Sequence, residues 1–561
     1  MLGLCFLLVG FNLYVGQLVP QQLSLPLAPL VLDPMLSPSD ALPLSRGALA
    51  GQSVLLVTID TARPDRLGFY GNSDIATPNL DRLARTSSVF TRALATTPIT
   101  LPSHASILTG QYPHHHGVRL NGLPPLAPEQ KTLAEHLSQQ GYDTAAFVSS
   151  FILEAQFGLA QGFSRYDDQT AEESSAKGYA ERRADETTDR ALSWLRRARE
   201  NPFFLWVHYY DPHADYAPPE FFERTSANAY DGELAFIDQQ IGRLIGGVTS
   251  SIKGDALVIV TADHGEGLGE HGEQSHGLLV HNATIKIPLI IGAVGRPPLP
   301  ARIDGLVSQV DLMPTVLSLL GLAVPEDIDG RDLTEPLEPD RMVLAESHYA
   351  DAIYGWARLA AIYRNDFKYV DGPDPEFYDL AADPAEQHNL FSVRKEETDD
   401  FLRQLTELRG PAADGLGSSV WELDLDSTDR LESLGYVVSG YHPGAHRGGE
   451  APDPKRMLPK LTQMLVLLTG LERRAKAPGW TRTIVQALRR PLPRDETELL
   501  VALEEFAREE PDFSPVHREL ASLYEKAGRP RDALESRRRF ESLSDRKFKS
   551  PHESEKIHHV N

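Results

Sequence analysis

The chain has 561 residues, of which 41% are hydrophobic and 24% are charged, as expected for one large globular domain with a smaller appendage. Its 79 acidic residues outnumber its 55 basic ones, and the formal net charge of −24 argues against nucleic-acid binding. An anionic substrate would then need local positive charge, which a metal ion supplies. The single cysteine, Cys5, excludes intrachain disulfides and a cysteine-ligated zinc site.

An uncharged apolar stretch runs from Leu2 to Val19 near the start of the chain. Two interpretations stay open: the end of an export signal or membrane anchor, although no Lys or Arg precedes it, or a buried apolar segment. The first predicts an exported protein, periplasmic or extracytoplasmic, or one attached to a membrane through its N-terminus. Residues 20–50 are rich in Pro, Leu and Ser and are predicted to be a linker, so that 1–50 form a leader and linker.

Short, nearly continuous apolar runs follow from Ser53 onward, and they predict strands buried on both faces of a sheet. These runs end at Ile59, Ser149, Tyr210, Ala262 and Gly292. Helical patterns lie between them, at 80–85, 132–140 and 182–199. The alternation predicts an α/β domain over 51–395, with a mostly parallel central sheet flanked by helices.

The C-terminal third has a different character. Residues 342–390 resemble short strands and turns, and 396–455 form a predicted connector rich in Gly, Pro and Ser after a short helical pattern. Residues 456–561 are predicted to be an all-α domain, and the stretch from His517 resembles a tetratricopeptide-type helix pair. Fewer units are visible than such arrays usually need, so the tail is either a surface for a protein partner or a helical cap on the catalytic domain.

Acidic and histidine side chains follow three of the predicted strands: Asp60 after the first, Asp211 and His213 after FFLWVHYY, and Asp263 with His264 after ALVIVTA. The carboxyl ends of parallel strands meet at one edge of a sheet, so we expect these residues to converge. Adjacent Asp and His are common metal ligands, and the segment DHGEGLGEHGE is hard to explain as a plain surface loop.

Thr100 stands just before Leu101-Pro102, where a helical pattern begins. A helix N-terminus attracts anions, and a hydroxyl beside a metal can act as a nucleophile. The alternative is that Thr100 only caps the helix, a role threonine often has. The triple histidine at 114–116 is predicted to lie on the surface, because adjacent side chains point in different directions.

Several of these segments resemble, in order, the motifs of the sulfatase family in the alkaline-phosphatase superfamily. They are VTIDTARPDRLGFYG, TLPSHASILTGQYPHHHGV, VHYYDPHADY, TADHGEGLGEHG, HGLLVHNATIKIPLII and FKYVDGPDPEFYDLAADPAEQHNL. The resemblance runs from Ser53 to Leu390 and implies that family's fold, with a small antiparallel sheet closing its C-terminal end.

The resemblance also implies roles for individual residues. A divalent metal would be bound by Asp60, Asp263 and His264, with Thr100 in the nucleophile position. Proton transfer or substrate contact would fall to His213 and His276, and further substrate contacts to Asn121 and His104. The substrate would be a small-molecule, glycan or lipid ester.

The sequence differs from the sulfatase family at several positions on which the family's chemistry depends. Thr100 replaces the Cys or Ser that becomes formylglycine, and a threonine cannot yield that aldehyde. His104 replaces an arginine, and Ser149 and Phe151 stand where a lysine and a histidine are usual. These changes favour a metal-dependent hydrolase or transferase of phosphate esters, with a sulfatase that lacks formylglycine, or a degenerate scaffold, as alternatives.

Two carboxylates, an imidazole and a hydroxyl favour Mn²⁺ or Zn²⁺, while Ca²⁺ and Mg²⁺ stay open. A second metal could use Asp211, His213, His276 or His281.

Overall fold

The computed structural model describes residues 38–122, 124–170, 181–197, 200–214, 216–410, 451–473, 493 and 495–544. The apolar stretch from Leu2 to Val19 lies outside them, so export or membrane attachment stays a prediction. Within the described ranges, the search for a helix with the length and hydropathy of a membrane span finds none.

Ten strands of the described chain form the central sheet, in the order β1-β9-β3-β8-β7-β2-β6-β4-β5, with β10 beside β3. The strands are β1 Pro38–Ser39, β2 Ser53–Ile59, β3 Ser88–Leu94, β4 Asp143–Phe147, β5 Arg165–Asp167, β6 Phe203–Tyr209, β7 Ala256–Ala262, β8 Lys286–Val294, β9 Ala301–Ile303 and β10 Val307–Ser308. All five predicted apolar runs are strands, and their side chains are almost wholly buried, as expected when helices cover both faces of a sheet.

The middle of this sheet is parallel. Strand β2 lies between β6 and β7, and Ile59 pairs with Tyr209 on one side and with Ala262 on the other. The residues that follow these three positions therefore leave the sheet at the same edge. This arrangement brings together the strand ends that carry Asp60, Asp211 and Asp263.

Strand β8 runs antiparallel to both β3 and β7. The sheet is thus mostly parallel, as predicted, with one reversed strand among its central members. An apolar run indicates that a strand is buried on both faces but carries no information about its direction.

The helices of the first 410 residues cover the sheet and connect its strands. They are α1 Pro78–Ala84, α2 Thr100–Thr109, α3 Pro113–His116, α4 Leu133–Gln139, α5 Ala184–Leu195, α6 Glu220–Thr225, α7 Ala229–Ser251, α8 Asn282–Ile285, α9 Leu312–Leu319, α10 Tyr349–Tyr354 and α11 Lys395–Arg409. The three predicted helices correspond to α1, α4 and α5. Helix α4 begins with a capping box between Thr132 and Glu135, which satisfies two backbone N–H groups at its N-terminus.

The described end of the predicted linker belongs to the folded domain. Leu42, Leu44 and Leu49 are buried in the main core, and β1 pairs with β9. The linker interpretation is therefore wrong for residues 38–50, because three leucines in this segment find apolar surface on the sheet domain.

A second, antiparallel sheet closes the C-terminal side, as predicted. Its strands are β11 Met342–Ser347, β12 Leu359–Arg364, β13 Phe367–Asp371 and β14 Glu376–Asp379. Helix α11 buries Phe401 and Leu405 in the same small core as this sheet. The predicted connector thus starts too early, since α11 packs on the sheet; residues 411–450 of that connector lie outside the described residues.

The described tail consists of helices α12 Pro454–Arg473, α13 Glu496–Glu509, α14 Ser514–Lys526 and α15 Pro530–Ser544. The hydroxyl of Ser514 donates to the carbonyl of Tyr354 at 2.9 Å, and the rings of Trp356 and Phe513 lie 6.0 Å apart. These contacts favour the helical cap over an independent array. The tetratricopeptide resemblance itself stays a prediction.

Candidate active site

The predicted metal ligands Asp60, Asp263 and His264 meet at the carboxyl edge of the central sheet. All three are fully buried, and their candidate ligand atoms lie within 4.8 Å of one another. Nε2 of His264 is 3.5 Å from Oδ2 of Asp263 and 3.9 Å from Oδ1 of Asp60. The two strands β2 and β7 that carry these residues are hydrogen-bonded neighbours, which explains the convergence of positions some 200 residues apart.

The backbone that follows β2 orients Asp263. Oδ1 of Asp263 accepts the N–H groups of Thr61 at 3.1 Å and His264 at 2.8 Å, which leaves Oδ2 facing the cluster. Thr61 has a φ of 54°, a left-handed conformation that is costly for a β-branched residue. It is held there because its hydroxyl donates to the carbonyl of Pro212 at 2.7 Å and its carbonyl accepts the Tyr230 hydroxyl at 2.8 Å.

The tautomer of His264 follows from its hydrogen bond. Nδ1 lies 2.9 Å from the carbonyl oxygen of Gly265, which can only accept, so Nδ1 carries the proton. Nε2 then presents a lone pair toward the two carboxylates. Burial lowers the pKa of His264 well below its ordinary value, so the ring is neutral, the form that binds metals.

The charges of the cluster lack compensation within the described chain. Both carboxylate oxygens of Asp60 and Oδ2 of Asp263 are buried without a hydrogen-bond partner. Burial raises the pKa of Asp60 well above its ordinary value, and the charge of Asp263 raises it further. A divalent cation would supply the missing ligand contacts and the missing charge, so these residues fit the metal ion expected from the sequence.

Thr100 is the first residue of helix α2, and its side chain points into this cluster. Only 1% of the residue is exposed, and Oγ1 lies 3.4 Å from Nε2 of His264. Asn121 braces the same helix end: its Oδ1 accepts the N–H of Leu101 at 2.8 Å, while its buried Nδ2 has no partner among the described residues. Asn121 therefore retains a donor beside Thr100, consistent with its predicted contact with the substrate.

His276 and His213, which the sulfatase resemblance assigns to substrate contact or proton transfer, both lie next to His264. The ring centroid of His276 is 4.4 Å from that of His264 and 5.0 Å from that of His213. Nδ1 of His276 is 3.0 Å from a carboxylate oxygen of the buried Glu266. Such a carboxylate orients an imidazole and stabilises it when both nitrogens carry protons.

His104 has a structural role in place of the predicted substrate contact. Its Nδ1 donates to the carbonyl of Thr100 at 2.8 Å, and its Nε2 accepts from the hydroxyl of Thr58 at 3.0 Å. The ring is fully buried, and burial lowers its pKa to about 4. With both nitrogens engaged, His104 ties the first turn of helix α2 to strand β2.

His208 is a member of the site that sequence reasoning missed. Nε2 of His208 lies 3.4 Å from Oδ2 of Asp60, and its ring packs edge-on against His104 at 5.0 Å. The backbone N–H of Ser149 points to Nδ1 of His208 at 3.5 Å, which favours the proton on Nε2, facing Asp60. A lone histidine inside the apolar run FFLWVHYY was the available signal.

Two residues considered for a second metal have other partners. Oδ1 of Asp211 accepts the N–H of Ala184 at the start of helix α5, at 3.1 Å. His281 lies 3.0 Å from Oε2 of Glu376 and stacks on His271. Neither joins the described groups of side chains that could hold an ion, which are Asp60 with Asp263 and His264, and Asp263 with His104 and His208.

The surface prediction for the triple histidine is wrong for two of its members. His114 and His116 are buried, with 6% and 3% of their surfaces exposed, and only the side chain of His115 reaches solvent. The short helix Pro113–His116 is the reason, because it turns the first and third histidines inward.

This combination of sheet edge, acidic cluster, buried hydroxyl and oriented imidazole fits an α/β enzyme that hydrolyses esters. Comparison with known proteins shows which family of such enzymes the chain resembles. The sulfatase family model matches residues 52–322, and the model described as N-sulphoglucosamine sulphohydrolase, C-terminal, matches residues 269–409.

Individual relatives agree with these matches. The chain is 26% identical to an uncharacterized sulfatase, YidJ, of Escherichia coli, over 64% of this chain and 88% of the relative. It is 24% identical to an N-acetylglucosamine-6-O-sulfatase of Bacteroides thetaiotaomicron, over 66% of this chain and 87% of the relative. The phosphonate monoester hydrolase of Agrobacterium radiobacter has a similar fold, with a TM-score of 0.54 at 22% identity, over 64% of this chain and 96% of that one.

These matches place the chain in the alkaline-phosphatase/sulfatase superfamily and support the hydrolysis of sulfate or phosphate esters.

Proposed function

We propose that the chain hydrolyses a phosphate ester, or transfers its phosphoryl group, with Thr100 as the nucleophile. The observation that carries this proposal is the position of Oγ1 of Thr100. This atom is buried at the start of helix α2 and lies 3.4 Å from Nε2 of His264, one of the three candidate metal ligands. A threonine that only capped its helix would bond to the backbone N–H groups of the first turn. No such bond is made here, since Ile99 occupies the cap position.

Asp60, Asp263 and His264 would hold a divalent cation. When bound there, it would supply positive charge that acidifies the Thr100 hydroxyl and neutralises the anionic ester. We favour Mn²⁺ or Zn²⁺ because the donor set includes an imidazole nitrogen, and Ca²⁺ prefers oxygen alone. Metal analysis of the purified protein, with Mg²⁺ and Ca²⁺ supplied in parallel, tests this choice.

The first half of the reaction forms a bond from Oγ1 of Thr100 to phosphorus while the bond to the leaving oxygen breaks. The proton of the threonine hydroxyl passes to water. His276, oriented by Glu266 at 3.0 Å, donates a proton to the leaving oxygen. Nδ2 of Asn121 and the N-terminus of helix α2 would stabilise the charge that develops on the phosphoryl oxygens.

The second half of the reaction removes the phosphoryl group from Thr100. Water, or an acceptor alcohol in a transferase, attacks phosphorus, and His276 takes the proton of the attacking group. The threonine oxygen then leaves and regains a proton from water. The same imidazole acts first as acid and then as base.

The nature of the nucleophile supports phosphate over sulfate. A formylglycine hydrate can expel sulfate by elimination, whereas a sulfated threonine has no such route. A phosphothreonine, in contrast, is open to direct attack at phosphorus.

The decisive experiment compares Thr100→Ala with wild type in the metal-reconstituted full chain. The substrates are 4-nitrophenyl phosphate, bis(4-nitrophenyl) phosphate, a 4-nitrophenyl phosphonate and 4-nitrophenyl sulfate. We expect turnover of at least one phosphorus ester, and a loss of about 10⁴-fold or more on removal of the nucleophile. Metal binding, measured by calorimetry, should survive the substitution.

Thr100→Ser is the matched control, because it keeps the hydroxyl. It should retain much more activity than Thr100→Ala, and acid-quenched wild type should carry 80 Da on the peptide that contains Thr100 when analysed by mass spectrometry, as expected for one added phosphoryl group. Equal rates for wild type and Thr100→Ala would remove Thr100 from the mechanism.

The second candidate is a sulfatase that works without formylglycine. The match to the sulfatase family model and to a glycan sulfatase favours it. Release of sulfate from 4-nitrophenyl sulfate, with no phosphorus ester cleaved, would decide for this alternative.

A further inference from the structure

A buried tyrosine lies behind the two residues that the proposed function uses for proton transfer. The hydroxyl of Tyr216 donates to Oε2 of Glu266 at 3.0 Å. The other oxygen of that carboxylate, Oε1, lies 3.0 Å from Nδ1 of His276. Glu266 is fully buried, and 7% of Tyr216 is exposed. The three side chains therefore form one continuous hydrogen-bonded network, which we call the Tyr216 network.

The direction of these hydrogen bonds follows from the protonation of Tyr216. Burial raises the pKa of its hydroxyl well above the ordinary value, and the charge of Glu266 raises that pKa further, so the hydroxyl keeps its proton. A carboxylate only accepts hydrogen bonds, so Oε2 of Glu266 accepts from Tyr216 and Oε1 accepts from Nδ1 of His276. Nε2 of His276 is then the ring nitrogen that can face the ester.

Glu266 is fixed at its backbone as well as at its carboxylate. Nη1 of Arg63 donates to the Glu266 carbonyl at 2.9 Å. Tyr216 is fixed in turn, because its ring packs edge-on against Tyr230 at a centroid distance of 5.3 Å. Loss of the Tyr216 hydroxyl would leave Oε2 buried without a partner in the described chain, which is unfavourable. The carboxylate would then gain by rotating toward another donor and away from His276.

Ser275 offers His276 a competing contact, since its hydroxyl lies 3.3 Å from the same Nδ1. The two neighbours favour different tautomers of the neutral ring. Glu266 requires the proton on Nδ1 and leaves a lone pair on Nε2, whereas a hydroxyl that donates to Nδ1 requires the proton on Nε2. A ring of the second kind cannot accept a proton from the attacking group at Nε2. The orientation of the Glu266 carboxylate therefore decides whether His276 is ready for its role.

We propose that Tyr216 is a positioning residue for proton transfer, which acts on His276 by fixing the carboxylate of Glu266. This inference rests on the proposed function for the role of His276, but it does not depend on which acid the ester contains. It gives a side chain whose hydroxyl is already used by Glu266 a part in the step that releases the alcohol.

The test uses the metal-loaded full chain and Tyr216→Phe, which removes only the hydroxyl. Two esters of an acid that the wild type releases are compared, one with 4-nitrophenol and one with phenol. The 4-nitrophenolate ion leaves readily without a proton, whereas phenolate depends more on a general acid. Since a general acid contributes roughly 10²–10⁴-fold, kcat/KM for the phenyl ester should fall by at least about tenfold, and that for the nitrophenyl ester by less than about threefold. An equal factor for both esters would overturn the inference.

Tyr70→Phe is the matched control. Tyr70 is also buried, and its hydroxyl donates to the carbonyl of Phe90 in strand β3 at 2.6 Å. Its loss should change kcat/KM for the two esters by the same factor. If Tyr70→Phe separates the two esters as strongly as Tyr216→Phe does, loss of any buried hydroxyl produces the effect and the inference fails.

A double-mutant cycle tests whether Tyr216 acts through Glu266. Glu266→Gln removes the charge that orients His276, so nothing should remain for Tyr216 to position. In that background, Tyr216→Phe should lower kcat/KM for the phenyl ester by less than about twofold. Losses that multiply as independent factors would contradict the inference, because they are expected when Tyr216 only supports the fold.

The crystal structure of Tyr216→Phe and its affinity for Mn²⁺ need no turnover. Nδ1 of His276 should lie beyond hydrogen-bond distance of Glu266, while the Mn²⁺ affinity, measured by calorimetry, stays within about twofold of wild type. An unchanged contact between His276 and Glu266 would refute the inference even if no ester is cleaved. A large loss of metal affinity would refute it too.

The two proposals fail in different ways. If Thr100→Ala keeps the wild-type rate while Tyr216→Phe separates the two esters and loses the contact between His276 and Glu266, the nucleophile fails and the positioning role stands. Thermal unfolding checks that Tyr216→Phe is folded. If it is not, Tyr216→Met replaces it with the same outcomes expected, since methionine adapts to the space and has no donor.

Discussion

Two neighbouring groups of buried charges in this protein are built in opposite ways. In the first, Arg63 donates from Nε and Nη2 to both carboxylate oxygens of Asp65, at 2.9 and 2.8 Å, and from Nη1 to the carbonyl of Glu266 at 2.9 Å. In the second, both oxygens of Asp60 have no partner in the described chain. Both groups lie in the loops at the carboxyl edge of the central sheet. Both are buried, so the degree of burial does not distinguish one group from the other.

The difference shows in the acidity of the carboxyl groups. Burial would raise the pKa of Asp65, but the Arg63 guanidinium holds it below its ordinary value. Burial and the charge of Asp263 raise the pKa of Asp60. Paired charges of the first kind support the fold, whereas uncompensated charges of the second kind mark the place where we propose that a cation binds.

Of the substitutions considered, Asp60→Asn should have the largest effect on metal affinity and activity, because it removes a charge from the second group. Loss of one negatively charged ligand should weaken the binding of Mn²⁺ or Zn²⁺ by more than about 100-fold, which exceeds the effect of replacing a residue that only orients a ligand. This corresponds to more than about 2.8 kcal/mol of binding free energy. Turnover should be abolished. Calorimetry with Mn²⁺ measures the affinity. The metal-free variant should unfold at a higher temperature than metal-free wild type at pH 8, since a buried charge is gone. A lower unfolding temperature would contradict this account.

Asp65→Asn should have the opposite signature. It removes one of the two carboxylates that pair with the buried Arg63, the other being Glu270 at 2.9 Å, and the free energy of unfolding should fall by about 3 kcal/mol. Urea titration of the metal-loaded protein measures this change. The metal affinity of the folded fraction should stay close to that of wild type; a large loss of affinity with little loss of stability would show that the two groups are not separate.

Glu273 provides an intermediate case, a buried carboxyl that accepts the N–H groups of Leu278 and Leu279 at 2.8 and 3.2 Å. Burial raises its pKa to about 8. The folded state therefore holds a proton that the unfolded state releases above about pH 4.5, and stability should fall as the pH rises from about 4.5 to 8. Glu273→Gln should make the free energy of unfolding less dependent on pH in this range, by several kcal/mol at most. Unfolding temperatures at pH 5 and pH 8.5 test it, and an unchanged slope would contradict the prediction.

His208 tests how the unpaired carboxylate is oriented. Its Nε2 faces Oδ2 of Asp60 at 3.4 Å, so His208→Phe should reduce metal affinity by about 10–100-fold without removing a ligand. His208→Gln keeps a donor and should recover part of the loss. Equal affinity in wild type and His208→Phe, measured by metal competition, would leave His208 with a packing role only.

The sequence predicted the strands and the convergence of Asp60, Asp263 and His264 because both depend on local patterns. Continuous apolar runs mark strands buried on both faces, and strand ends mark the site edge. The reversal of strand β8 was not predictable, since the same apolar run fits either direction.

The errors within the site have a common cause, which is that they depend on distant contacts. His208 looks like a core residue inside an apolar strand, and only the pairing of β2 with β6 brings it to Asp60. His104 resembles a substrate ligand until Thr58 and the carbonyl of Thr100 are seen to occupy both ring nitrogens. His114 and His116 turn inward only because the chain makes a single helical turn at Pro113.

The unusual backbone of Thr61 has a consequence for efforts to make this enzyme more heat-resistant. A left-handed threonine costs about 1–3 kcal/mol, and glycine at this position would relieve that cost. The same replacement would delete the hydroxyl that fastens the bend to Pro212 and would free the peptide that points to Asp263. A screen that selects only for melting temperature could therefore select Thr61→Gly, a variant that is more stable but in which Asp263 is poorly oriented.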